Sequence, residues 1–370
     1  MNFKILTEPR EVKTENLETS DSINKIDVVT DTIQTSNTSP TKLILKNYQS
    51  PGDIVMLTAC VRDLHKAHPG KFITDVRTSA GHLWENNPYI TKLNENDADV
   101  KVIQMHYPLI HNSNEGAYHF IHAFHDYLGS VLNIRIPVTQ FWGDIYLSNQ
   151  EKSWVSMVNE HYTKEDTPFW LICSGGKTDY SAKWWIPEYA QEVVDHFRGK
   201  IQFVQFGENI RGHHHPPLHG VINVIGKTDI RQFIRLVGHS DGVVCPVTFA
   251  MHLAAAVEVY KPNKPKKRAC VVTAGGREPS NFTCYTNHQY LHANGALNCC
   301  QSGGCWKSRI VPLGDGDKKD NDLCTNTVDF NGRKVQRCMY DCVKPIDVIM
   351  AIEKYYADGS LKYVNKTIEA

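Results

Sequence analysis

The sequence predicts an α/β protein in which short buried strands alternate with helices in both halves of the chain. Apolar runs such as 169–173 and 201–206 have the length and composition of buried strands. Between such runs, apolar residues recur at helical spacing, as they do across 230–237. Glycine-bearing turns follow several of the strands. This alternation is typical of parallel sheets covered by helices.

Length, charge and hydropathy narrow the class of protein. A chain of 370 residues suits two α/β domains with ample core. Its 40 basic and 40 acidic residues balance, which argues against nucleic acid or an anionic membrane as the main partner. No apolar run has the length of a membrane span, and the first fifteen residues lack a signal-peptide core. We therefore expect a cytoplasmic protein without membrane insertion.

The first half predicts a βαβ unit behind a polar arm. The arm lacks periodicity apart from 26–29, and we expect it to be weakly ordered or to form an oligomerisation strand. Strand 42–45, helix 54–68 and strand 71–76 follow, with Pro69 and Gly70 ending the helix. The predicted division is a polar arm at 1–40, a Rossmann-like acceptor domain at 41–165, a Rossmann-like nucleotide-sugar domain at 166–298, a cysteine finger at 299–343, and a helix with a tail at 344–370.

The second half repeats the strand and helix pattern. Strand 169–173 leads into a glycine-bearing turn at 174–177, and strand 243–245 leads into a helix with Thr248 as a plausible N-cap. In open α/β sheets, ligands bind outside the carboxyl ends of strands, near helix N-termini that favour phosphate. A nucleotide or sugar phosphate is therefore expected at this edge, and a purely structural βα unit is the alternative. The histidines at 213–215 are expected to form an exposed loop.

Several motifs resemble glycosyltransferase family 9, the heptosyltransferases. They are Pro-Gly-Asp-Ile-Val at 51–55, His-Pro-Gly at 68–70, Glu-Asn-Asn-Pro-Tyr-Ile at 85–90, Gly-Lys-Thr at 226–228 and His-Leu-Ala-Ala-Ala at 252–256. The resemblance implies a GT-B fold, in which two Rossmann-like domains face a cleft, and ADP-heptose as the donor substrate. One departure is that the family's Asp-Thr-Gly triplet is replaced by Val247, Thr248 and Phe249.

Sugar transfer needs a base for the acceptor hydroxyl and a cationic or hydrogen-bonding partner for the departing diphosphate. By resemblance, Asp53 occupies the position of the family's catalytic aspartate and is expected to be the general base. The local pattern alone favours Asp53 as the N-cap of the helix that starts at 54. Lys183 matches the family's Lys-x-Trp motif and would neutralise the diphosphate, with Lys177 as a second candidate. A solvated surface lysine is the alternative for both.

Four further residues are candidates for donor binding. His252 corresponds to the family histidine near the donor phosphates, and Thr248 with adjacent amides would complete an anion site. Glu208 follows a strand where family members place an acid near the ribose. Arg277 would suit the diphosphate or the acceptor. A satisfied buried histidine and a loop pinned by an Arg277–Glu278 ion pair are the alternatives.

Cysteines crowd into the last fifth of the chain. The four from Cys305 onward have the spacing C-x18-C-x13-C-x3-C, and the segment between them offers little apolar material for a core. Four thiolates around one tetrahedral ion would hold it together, and both iron and zinc accept such a set. The predicted ligands are Cys305, Cys324, Cys338 and Cys342. Cys299 or Cys300 could replace one of them, and reduced cysteines without metal are the alternative.

This finger resembles one branch of the family, the bacterial autotransporter heptosyltransferases, whose four-cysteine finger holds iron. The resemblance lies in 300–306 and the downstream Cys-x3-Cys. It implies a protein acceptor, the serines of an autotransporter adhesin modified in the cytoplasm, and a large homo-oligomer. Three alternatives stay open: a transferase for another nucleotide sugar, one with a glycan or small-molecule acceptor, and a non-catalytic scaffold with the same fold.

Overall fold

The computed structural model describes residues 39–163, 167–260 and 264–364. The predicted polar arm, with its short run at 26–29, lies almost entirely outside these ranges. No helix within them is both long and apolar enough to cross a bilayer.

The described residues form thirteen strands and ten α-helices. The strands are β1 Thr41–Asn47, β2 Phe72–Thr78, β3 Val100–Gln104, β4 Phe169–Ile172, β5 Gly176–Lys177, β6 Gln202–Gln205, β7 His213–His214, β8 Ile222–Asn223, β9 Gly242–Cys245, β10 Ala269–Gly275, β11 His288–His292, β12 Thr327–Phe330 and β13 Arg333–Gln336. The helices are α1 Pro51–Ala67, α2 Phe120–Leu132, α3 Asn149–Lys152, α4 Met157–His161, α5 Pro187–His196, α6 Ile230–His239, α7 Phe249–Ala256, α8 Ser280–Thr283, α9 Arg337–Cys342 and α10 Pro345–Tyr356.

Two parallel sheets organise the fold, which confirms the predicted α/β class. The first has three strands in the order β2-β1-β3, and the second has six in the order β11-β10-β9-β4-β6-β8. All residues of β4, β9 and β10 are buried. Helices therefore cover these strands on both faces, as continuous apolar runs in parallel sheets require.

Helix α1 begins earlier than predicted. Proline at the first helical position has its φ already set for a helix and has no amide hydrogen to leave unpaired, so the helix starts at Pro51 rather than at 54. Ser50 is the N-cap residue, and its backbone N–H donates to Asp53 Oδ2 at 2.9 Å. Asp53 therefore lies in the first turn, and its interpretation as the N-cap is wrong.

Helices α1 and α7 connect the two sheets at very close range. A β-carbon built on Gly52 would lie 2.8 Å from His252 Cδ2 and 3.7 Å from Phe249 Cα. Because any larger side chain would push these helices apart, glycine is what allows the first turn of α1 to lie against α7. This contact places Asp53 next to the carboxyl edge of the second sheet.

The histidine segment is not simply a loop. His213 and His214 form β7, which pairs antiparallel with β5, so Lys177 lies opposite His213. The expectation of a loop is wrong for these two residues, because the pairing with the glycine-bearing turn after β4 extends the backbone there, whereas His214 is exposed as expected. His215 packs its ring against Gly207, where a β-carbon would lie 2.6 Å from it.

Candidate active site

Asp53 is half-buried at the third position of α1. Burial raises the pKa of Asp53 to about 6, although Lys183, the Ser50 amide and a hydrogen bond from the Tyr107 hydroxyl each act to lower it. Near neutral pH the carboxylate is ionised but still basic enough to accept a proton, which is the property that a general base needs.

Lys183 approaches from the second sheet, at the end of the 3-10 segment Thr178–Lys183. Its Nζ lies 2.7 Å from Glu278 Oε1 and donates to the Val247 carbonyl oxygen at 3.3 Å. Burial lowers the pKa of Lys183, and Glu278 and Asp53 oppose that shift by favouring the charged ammonium. Lys183 and Asp53 interact electrostatically across the close contact between α1 and α7.

Glu278 and Arg277 surround this lysine from the loop after β10. Burial favours the neutral acid, but Lys183 and Arg277 outweigh it, and the pKa of Glu278 is lowered. Arg277 forms an ion pair with Glu278 and donates from Nε to the Lys307 carbonyl oxygen at 2.7 Å. The ion pair that the sequence left as an alternative is therefore present.

His252 is buried on α7 at the contact with α1. Its Nδ1 shares a 2.6 Å hydrogen bond with the Tyr285 hydroxyl. Burial lowers the pKa of His252 to about 3, with Lys183 contributing in the same direction and Glu278 opposing it. The imidazole is neutral at pH 7, so it can supply hydrogen bonding or packing but no positive charge.

The other predicted donor residues differ in their exposure and in their contacts. Lys177 is exposed, and its Nζ donates to Ser50 Oγ at 3.1 Å, which links the second sheet to the start of α1. Glu208 is exposed after β6 and interacts electrostatically with His213. Thr248 is at the N-cap of α7 as predicted, but its side chain makes no capping hydrogen bond and lies beside the Cys245 thiol instead.

Two residues of this group were missed by the sequence analysis. Tyr107 precedes a short 3-10 helix far from Asp53 in sequence, and no local pattern connects the two. Glu278 was considered only as a partner of Arg277, although its position after β10, at the carboxyl edge of a strand, is the signal that selected Arg277 itself.

A second cluster consists of four thiols. Cys299, Cys305, Cys324 and Cys338 interact electrostatically in all six pairwise combinations. Burial raises the pKa of each thiol, that of Cys338 to about 12. Hydrogen bonds from the backbone of Lys307, Asn326 and Gly276 act in the opposite direction on the last three.

Cys342 differs from this group in its electrostatic environment. Its interactions are with Asp341, Cys300, Asp347 and Lys344 rather than with the other predicted ligands. Within the described ranges, no three histidine, cysteine, aspartate or glutamate side chains converge closely enough to hold a metal ion. Thiolate sulfur is a ligand that zinc and iron accept, and the backbone hydrogen bonds at three of these thiols partly offset the burial that favours the neutral form.

Comparison with known proteins finds similarity to one family model and to several solved structures. Residues 113–263, less than half of the chain, match the sequence model of glycosyltransferase family 9 (heptosyltransferase). No curated protein matches the sequence.

Similar solved structures include three that cover most of the chain. ADP-heptose LPS heptosyltransferase II from E. coli has a TM-score of 0.53 and 14% identity, over 86% of this chain and 100% of that one. The iron-containing dodecameric glycosyltransferase TibC from enterotoxigenic E. coli H10407 has a TM-score of 0.56 and 14% identity, over 86% of this chain and 77% of that one. TibC in complex with ADP-D-beta-D-heptose has a TM-score of 0.55 and 12% identity, over 87% of this chain and 77% of that one.

At these identities the structural similarity is one of fold: α/β with parallel sheets, as in GT-B heptosyltransferases. With the family match, it supports an enzyme of the glycosyltransferase class that uses a nucleotide-sugar donor.

Proposed function

We propose that this glycosyltransferase moves heptose from ADP-heptose to a serine hydroxyl of a protein of the autotransporter adhesin type, with Asp53 as general base. The observation that carries the proposal is the meeting of Asp53 with Lys183 and Glu278, because it joins a tuned carboxylate from one sheet to a cation at the carboxyl edge of the other. The family match supports the heptose donor, and the motif resemblance supports the protein acceptor.

In this mechanism the acceptor hydroxyl gives its proton to Asp53 as its oxygen bonds to the anomeric carbon. The bond from that carbon to the diphosphate oxygen breaks, and ADP leaves with the electron pair. The Lys183 ammonium stabilises the negative charge that develops on the diphosphate. The Tyr107 hydroxyl, which hydrogen-bonds to Asp53, orients the carboxylate for proton transfer.

The departure from the family's Asp-Thr-Gly triplet is accommodated by the backbone. Lys183 donates to the carbonyl oxygen of Val247, the residue that replaces the family's aspartate, so the cation stays at this position without a carboxylate there. We assign Thr248 and the free amides at the start of α7 to the diphosphate, with Lys177, Glu208 and Arg277 around the rest of the donor. Neutral His252 contributes packing against Gly52 rather than charge.

We also propose a structural iron or zinc ion bound by Cys299, Cys305, Cys324 and Cys338. Cys299 replaces Cys342 of the sequence-based set, because Cys299 interacts with the other three thiols and Cys342 interacts with Cys300 instead. A tetrahedral ion would supply a cross-link for a segment with little core. The iron-containing, dodecameric TibC supports iron and self-association for this chain as well. We propose that this protein acts in the cytoplasm, as the bacterial autotransporter heptosyltransferases do.

The decisive experiment combines donor turnover with acceptor identification. Purified protein should release ADP from ADP-heptose in the presence of an adhesin passenger domain, and mass spectrometry should find heptose on its serines. Faster turnover of a different nucleotide sugar would show that ADP-heptose is not the preferred donor. Transfer to a glycan alone would show that the acceptor is not a protein. If folded, metal-loaded protein turned over no donor at all, the remaining hypothesis would be a non-catalytic scaffold with the same fold.

A further inference from the structure

The segment that carries the clustered thiols, residues 299–343, contacts both loops that hold the Lys183 ion pair. We call it the finger segment. Its contacts fall on the 3-10 segment Thr178–Lys183 on one side and on the loop 275–279 on the other. The two loops come from different strands, β4 and β10, which are separated in the sheet by β9.

On the lysine side, the finger segment forms hydrogen bonds with three residues that flank Lys183. The Ala182 amide donates to the Ser308 carbonyl oxygen at 3.1 Å, and the Ile310 amide donates to Ser181 Oγ at 3.0 Å. Gln336, which is buried, donates from Nε2 to the carbonyl oxygens of Ser181 at 2.9 Å and Trp184 at 3.2 Å. The backbone on both sides of Lys183 is therefore fixed by this segment.

On the glutamate side, the same segment lies against the backbone of the loop. The Cys305 amide donates to the Gly276 carbonyl oxygen at 3.0 Å, and the Trp306 amide donates to that of Arg277 at 2.9 Å. A β-carbon on Gly304 would lie 2.9 Å from Glu278 Cα, so only glycine allows this approach. Glu278 is 4% exposed and has little freedom to move relative to the finger segment.

We propose that Glu278 is a positioning residue for sugar transfer, which fixes the Lys183 ammonium at the diphosphate, and that the finger segment holds the two loops at the separation their 2.7 Å ion pair requires. This inference rests on the proposed role of Lys183. It assigns the finger segment a part in the chemistry of the cleft, in addition to its own stability. Because burial works against the charged lysine, a carboxylate held at hydrogen-bonding distance is what retains both its charge and its place.

Two physical effects of removing Glu278 have opposite signs, which makes the proposal testable. A carboxylate so close to Lys183 repels the diphosphate, so electrostatics alone predicts tighter ADP binding when Glu278 is neutralised. If Glu278 positions Lys183, its loss leaves the ammonium misplaced relative to the diphosphate, and ADP binding weakens. Reacting groups misplaced by about 1 Å lose roughly 100-fold in rate.

The experiment is a double-mutant cycle on the full-length, metal-loaded protein, with ADP affinity measured by calorimetry and ADP release measured with ADP-heptose as the donor. We expect Glu278→Gln to reduce kcat about 100-fold and to weaken ADP binding about tenfold. Glu278→Asp, which keeps the charge, should recover part of both. In a Lys183→Ala background, Glu278→Gln should add less than about threefold, because its partner is already absent.

A second variant and a control separate positioning from loss of fold. Gln336→Ala should reduce kcat in the wild-type background and not in the Lys183→Ala background, with metal content and thermal unfolding recorded for both. Arg333→Ala removes an exposed ion pair between the finger segment and Glu188 on α5, and it should leave turnover unchanged.

The outcomes distinguish this inference from the proposed function. Tighter or unchanged ADP binding in Glu278→Gln, or a full additional loss in the Lys183→Ala background, would overturn the inference alone. Full turnover by Lys183→Ala would remove the lysine from the reaction and the positioning role with it. Slow turnover by Lys183→Ala, together with a double-mutant cycle that is not additive, would support both the proposed function and the positioning role of Glu278.

Discussion

The two sides of the candidate site hold their charged groups in different ways. Asp53 has a backbone amide and a tyrosine hydroxyl as its hydrogen-bond partners, and burial dominates its pKa. Lys183 lies among a carboxylate, a carbonyl oxygen and an arginine. The segment that carries it is hydrogen-bonded to the finger segment. The acid is therefore free to change protonation near neutral pH, whereas the cation is fixed. This is the division expected when one group must move a proton and the other must stabilise charge in one place.

Removing the acid is expected to have the largest effect on turnover. Asp53→Asn keeps the shape of the side chain but cannot accept the proton, so turnover of ADP-heptose should fall about 1,000-fold. Rapid ADP release by the variant would contradict the assignment of the base. Asp99→Asn is a matched control, since Asp99 is in an exposed ion pair with Lys42 and should leave turnover unchanged.

The thiol cluster on the cation side gives the next largest effect. Metal analysis of the native protein should find about one iron or zinc ion per chain, as expected for a four-thiolate site. Cys299→Ser should lose most of that ion and unfold at lower temperature, whereas Cys342→Ser should keep it. Equal retention in both variants, or loss only in Cys342→Ser, would restore the ligand set predicted from the sequence.

The protonation of Asp53 should be visible in the pH profile. Because the base must be ionised, kcat/KM should rise with pH and level off above about 6, and fall about tenfold per pH unit below it. Tyr107→Phe removes a hydrogen bond that lowers this pKa, so the acid limb should move to higher pH. A profile that is flat from pH 5 to 8 would show that no group with this pKa limits the reaction.

The smallest expected effect concerns the contact that brings the two sides together. Gly52→Ala places a methyl group 2.8 Å from His252 Cδ2, and overpacking of this kind costs about 1–3 kcal/mol of unfolding free energy. Gly81→Ala, where a β-carbon meets nothing within 4 Å, should unfold like the wild type. Chemical denaturation of both variants measures the difference, and equal midpoints would mean that α1 and α7 are separated in solution.

Local patterns in the sequence predicted the strands and helices but not the partners of the site residues. The apolar runs identified β4, β6 and β9 because a buried strand carries its signal in a few adjacent residues. The predicted start of α1 at 54 is too late because Ser50 is the N-cap and Pro51 is the first helical residue, a combination that the apolar pattern does not include.

The remaining differences concern contacts between residues far apart in the chain. Cys338 and Cys342 share a helix face at i and i+4, which favours them as joint ligands, but Cys299 arrives from a distant 3-10 turn that no spacing rule includes. Likewise, nothing near Lys183 in the sequence indicates Glu278 or the Val247 carbonyl. Such pairs are fixed by sheet order and loop packing, which the one-dimensional pattern does not encode.

The position of the finger segment along the chain has a consequence for biosynthesis. The ribosome makes the loops that carry Lys183 and Glu278 before it makes residues 304–336, which support them. A nascent chain that already contains both sheets therefore still lacks the hydrogen bonds that set the distance between those loops. The chain acquires these hydrogen bonds only when the late segment has emerged and folded against both loops.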